Sequence, residues 1–97
     1  MDFDPYNRWL DLPPGPRPPN HYQLLGLSPD VTDERAVVEA SRLQMARIKP
    51  YEDHPDPQTR AVVHEIMNRI GWARAVLRDP TKRALYDERL AQGGRSA

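Results

Sequence analysis

The sequence predicts an all-α fold of four helices behind an extended proline-rich arm. Three observations predict it. Apolar residues recur at helical spacings of three and four over two long stretches, most clearly at Val62, Val63, Ile66, Ile70, Ala73 and Leu77. No stretch shows the period-two alternation of a half-buried strand. An acidic residue stands directly before proline at Asp56-Pro57 and again at Asp79-Pro80, a side-chain cap followed by a residue whose fixed φ suits the first helical position.

Six of the eleven prolines fall before residue 20, and the run Pro13-Pro14-Gly15-Pro16-Arg17-Pro18-Pro19 is excluded from helix and central strand because proline fixes φ and lacks a backbone donor. Residues 1–19 are therefore expected as an extended arm. Phe3, Tyr6, Trp9, Leu10 and Leu12 give it more apolar surface than a plain disordered tail carries. Asn20 then caps a short helix over about 21–25, which Gly26 ends in a left-handed conformation that a β-carbon would penalise.

A second helix starts after Thr32, with Asp33 and Glu34 in its positive first turn and Val31 placed to staple onto Ala36. Val37, Val38, Ser41, Met45 and Ile48 share one face of it, and Pro50 stops it by disfavouring helical geometry at Lys49. The third helix begins at Pro57 with Asp56 as cap and carries the strongest periodic signal in the chain. A fourth begins at Asp79-Pro80, turns Leu85 and Tyr86 inward, and ends before Gly93-Gly94. The helical domain is thus expected over 20–91, with 92–97 a flexible tail that reads like the start of a linker.

Size and composition narrow the function. The chain has 97 residues, and setting the arm and tail aside leaves roughly 75 for one modest hydrophobic centre, too few for a deep catalytic cleft. Lys and Arg total 14 and Asp and Glu total 14, so the global charge favours neither nucleic acid nor an acidic partner. There is no cysteine, and no apolar run approaches the ~20 residues of a membrane span. A cytoplasmic, monomeric domain with no nucleic-acid and no membrane partner is the expectation. His21, His54 and His64 lack partners at ligand spacing, Gly26 and Gly71 make no phosphate loop, and Ser28, Ser41 and Ser96 lack a nucleophile context. No catalytic residue, cofactor or metal is expected.

Three motifs stand in a telling order: His21-Tyr22-Gln23-Leu24-Leu25-Gly26-Leu27, then His54-Pro55-Asp56, then Asp79-Pro80-Thr81-Lys82-Arg83-Ala84-Leu85-Tyr86-Asp87. The order resembles the J domain of DnaJ-type co-chaperones over about residues 21–90, and the span looks closest to a divergent J-like family common in planctomycete proteins. Pro18-Pro19-Asn20-His21-Tyr22 after Trp9-Leu10, together with Arg42, Met45 and Asn68, carries that closer likeness. The resemblance implies that the second and third helices form a central antiparallel hairpin. Val38, Met45, Ile48, Ile66, Ile70 and Leu77 would be mutually buried, with Leu24, Leu25 and Leu85 closing its ends.

In J domains His-Pro-Asp engages a DnaK-type ATPase chaperone, and it follows directly on the second helix. Counted from Ala40, that position here is Lys49-Pro50-Tyr51, and His54-Pro55-Asp56 comes five residues later. Two readings follow: a working chaperone contact, or a cap and first turn for the third helix. Arg35, Arg42 and Lys49 recur every seven residues as a basic stripe, which J domains use to attract an acidic chaperone surface and which elsewhere is simply a solvated face. Arg60, Arg74 and Arg78 cluster similarly on the third helix. Trp72 lies about half a turn from the core face of that helix, either an anchor for another protein or the surface on which the arm, with Trp9, lies. The expected function is a non-catalytic J-like interaction module, an adaptor or scaffold within a bacterial protein. The alternative is an active co-chaperone working through His54, Pro55 and Asp56.

Overall fold

The computed structural model describes residues 4–15, 17–31 and 33–96, the last four as backbone. Phe3, Pro16, Thr32 and Ala97, which figure in the sequence expectations, lie outside the described residues. Every regular element among the described residues is helical: α1 (Pro5–Leu10), α2 (His21–Leu25), α3 (Glu34–Ile48), a 3-10 turn (Lys49–Tyr51), α4 (Pro57–Leu77) and α5 (Pro80–Ser96).

The expectation of an arm extended throughout is corrected by α1. Asp4-Pro5 is a third acidic-proline start: the Asp4 carboxylate accepts the Tyr6 amide at 3.1 Å, and Pro5 occupies the first turn. Tyr6 and Leu10, four apart, then face the core together and are buried with Leu12. Arg17 folds the proline-rich stretch back onto this helix. Its guanidinium pairs with Asp4 at 3.0 Å, donates to the Pro13 carbonyl at 2.9 Å and lies 5.5 Å from the centre of the Tyr6 ring. The hydrogen bond from Arg17 holds the Asp4 carboxyl below its usual range. At the other end Arg47 of α3 donates to the Leu10 carbonyl at 3.1 Å, satisfying an acceptor that a helix end leaves free.

α2 forms where Asn20 and Gln23 cap each other reciprocally. The Asn20 side chain accepts the Gln23 amide at 2.8 Å, and the Gln23 side chain accepts the Asn20 amide at 2.9 Å. Gly26 ends the helix at φ 68, in the left-handed region. Gln44 of α3, itself buried, donates to the Leu24 carbonyl at 2.6 Å. This bond fixes α2 against α3.

Asp33 caps α3 by accepting the Arg35 amide at 3.0 Å. Val37, Ser41, Gln44 and Ile48 are its buried face, whereas Val38 and Met45 are only half-buried. Ser41 is tolerated inside because its hydroxyl donates to the Val38 carbonyl at 2.8 Å. α4 buries Val63, Ile66, Ile70, Ala73 and Leu77 against α3 and α2. An ion pair of 2.7 Å joins Arg78, just past the end of α4, to Glu34 at the start of α3.

On α5 the sequence expectation fails at Leu85, which is 54% exposed and closes nothing. Arg83 is the inward residue, at 8% exposure. Its Nε donates to the Tyr22 hydroxyl at 3.1 Å, its Nη2 donates to the Pro29 carbonyl at 2.9 Å, and the Tyr22 hydroxyl in turn donates to Asp87. A buried guanidinium is kept only with its donors satisfied, and here one carboxylate balances its charge through a phenol. The expected stop before Gly93-Gly94 is also absent, since α5 runs to Ser96. Each glycine costs a helix interior only about 1 kcal/mol.

Candidate functional site

His54-Pro55-Asp56 is built into the start of α4. The Asp56 carboxylate accepts the Thr59 amide at 3.2 Å and the Thr59 hydroxyl at 2.7 Å, which makes it the N-cap, with Pro57 as the first helical residue. The Thr59 hydrogen bond holds the Asp56 carboxyl below its usual range. The Asp56 amide donates to His54 Nδ1 at 3.1 Å. Arg60 reaches back one turn and donates to the carbonyls of His54 at 2.8 Å and Pro55 at 3.1 Å. Every member of the tripeptide thus contacts the first turn of α4. Pro55 and Asp56 stay exposed and His54 is half-buried beside Arg8 and Trp9 of α1, which line the same depression.

The Lys49-Pro50-Tyr51 position is a 3-10 turn, and Trp9 stacks on Tyr51 with ring centres 5.0 Å apart. Arg35 and Arg42 on α3 and Lys49 just past its end are all exposed, but Arg42 is held by Glu39 at 2.6 Å, which neutralises the middle of the stripe. On α4 the expected cluster is divided among structural tasks, with Arg60 on the loop carbonyls and Arg78 on Glu34.

Trp72 is 62% exposed, and no described residue of the arm lines the cleft that opens beside it. Tyr6 and Leu10 draw α1 onto α3 instead, which takes Trp9 to Tyr51. Trp72 meets the edge of His21 at 5.5 Å, and His21 stacks on Tyr86 at 4.3 Å. The Tyr86 hydroxyl accepts the His21 amide at 2.8 Å, which ties the start of α2 to α5. Burial holds the His21 imidazole below its usual range, with Arg69 adding to the effect, and burial raises the Tyr86 phenol. Beside this aromatic trio a cleft of about 560 Å³ opens between α4 and α5, floored by Trp72, Val76, Leu85, Tyr86 and Leu90. Lys82 and Arg89 also line it.

The sequence does not reveal the cleft as long as Leu85 is read as a core residue. The signal is available: Lys82, Leu85 and Arg89 lie at spacings of three and four on one side of α5, whereas Arg83, Asp87 and Leu90 lie on the other, with Tyr86 between them. Among the described residues no three His, Asp or Glu side chains converge as a metal site requires, and no helix is long and apolar enough to cross a membrane. Comparison with family models, with curated proteins and with solved structures finds no match.

Proposed function

We propose that this chain is a non-catalytic interaction module with the helix arrangement of a J domain, in which His-Pro-Asp leads into a helix and supplies its N-cap. The succession of short α2, long α3, longer α4 and closing α5 supports the arrangement, as does the ion pair that joins the end of α4 to the start of α3. The Tyr22 and Arg83-Asp87 contacts support it further, because they tie together the first and last of the three sequence motifs on which the J-domain likeness rests. The observation that carries the functional reading is the occupation of the tripeptide. Asp56 is spent on Thr59, the loop carbonyls on Arg60, and His54 Nδ1 on the Asp56 amide. An adaptor or scaffold role follows, with another protein as partner.

The rival reading, a co-chaperone contact, is favoured by the exposure of Pro55 and Asp56. Single-turnover ATP hydrolysis by a bacterial DnaK-type chaperone separates the two. The proposal expects a basal rate in the presence of the 97-residue chain, whereas stimulation that disappears in His54→Gln would establish the co-chaperone.

A further inference from the structure

The geometry points to the α4–α5 cleft as the docking site for an acidic amphipathic helix of another protein. This rests on the reading of the chain as an interaction module and adds to it a surface and a class of partner. Trp72 and Leu85, 62% and 54% exposed, belong to the same cleft, so its floor is a continuous apolar patch and not a scatter of single side chains. The floor is also preorganised. Trp72 sits edge-on to His21, which is stacked on Tyr86 and hydrogen-bonded to it through its amide, so a ligand need not order the aromatic groups it meets.

Shape selects a helix. Leu85, Tyr86 and Leu90 give the α5 wall of the cleft its apolar surface, and Trp72 and Val76, four apart on α4, line it as well. A groove between two helices suits a third that inserts residues at i, i+3 or i+4, and i+7. Charge selects its sign. Lys82 and Arg89, seven residues and ~10 Å apart along the axis, line the α5 wall, and among the described residues no carboxylate lines the cleft. Of the acidic side chains of α5, Asp87 accepts the Tyr22 hydroxyl, and neither it nor Glu88 lines the cleft. A second copy of this chain is disfavoured as occupant, because a two-fold pairing would set these cations against themselves. Carboxylates seven residues apart on a partner helix would meet both.

The test uses the full chain carrying Trp9→Phe, which leaves Trp72 as the sole indole. It is titrated with a synthetic three-turn amphipathic peptide bearing Leu on one face and Glu flanking it, and with the same peptide carrying Lys in place of Glu. The expected result is a saturable blue shift of Trp72 emission by the Glu peptide, at least ~10-fold tighter than for the Lys peptide and weakened ~10-fold by Lys82→Glu with Arg89→Glu. Absence of a shift, equal binding of both peptides, or indifference to the charge reversal would overturn the proposal. A Trp72 shift that tracks the concentration of the chain alone would overturn it in favour of self-association. ATPase stimulation would defeat the adaptor reading without moving this titration, so the two failures are distinguishable.

Discussion

Asp56 and Tyr22 show how single side chains carry this structure. Asp56 serves α4 as Asp79 serves α5, where the Asp79 carboxylate accepts the Thr81 and Lys82 amides at 2.9 and 3.2 Å. Replacing either cap by Ala should therefore lower the melting temperature comparably, by about 4–8 °C for a domain of this size. Thermal melts of the two variants side by side check this, and a silent Asp56→Ala beside a destabilising Asp79→Ala would mean that Asp56 is kept for something other than the cap. The pH dependence has a definite sign. A carboxyl held below its ordinary value of 3.8 contributes stability above that pH and loses it as the pH falls through the folded value, so the gap between wild type and Asp56→Ala should narrow in acid. Tyr22 makes a second prediction. Tyr22→Phe keeps the ring but removes the acceptor for buried Arg83 and the donor to Asp87, and should cost about 1–3 kcal/mol by denaturant titration. Unchanged stability would mean that Arg83 finds other partners.

Among the elements, α2 and α4 are legible in the sequence because their signals are local: Asn20 with Gln23, Gly26 after the helix, and the apolar period from Val63 to Leu77 lie within the segments they specify. α1 is less legible. Six early prolines mask one acidic-proline start that differs in no way from the two that are recognised, and a helix of this length is stable only because Leu10, Tyr6 and Arg17 find partners elsewhere. Leu85 is misassigned for the same reason. α5 has two apolar-capable faces, and the choice between them is made by Tyr22 and Pro29, far away in sequence, which accept the Arg83 guanidinium. The docking of α1 is directly testable. Leu10 is fully buried, so Leu10→Ala should destabilise the whole domain by about 2–5 kcal/mol in a single cooperative transition. An arm independent of the core would leave the transition where it was.

At the scale of the molecule, α3 and α4 are the frame, and α1, α2 and α5 close it around Leu10, Leu24, Ile48, Ile66 and Ile70. Of the candidate site, the tripeptide and Trp72 are visible in the sequence as residues. Their surroundings are not, since α1 beside His54 and the α4–α5 cleft beside Trp72 arise only from packing. Trp72 lies fifteen residues along α4 from Pro57, ~22 Å at the helical rise, so the start of α4 and the cleft are separate surfaces with separate tests. The central claim, that His-Pro-Asp here begins a helix and does not drive a chaperone, is tested most directly by the single-turnover ATPase rate of a DnaK-type partner. The account predicts the same basal rate with wild-type chain and with His54→Gln. A rate raised by wild type, abolished in His54→Gln and falling with salt as Arg35, Arg42 and Lys49 are screened, would contradict it.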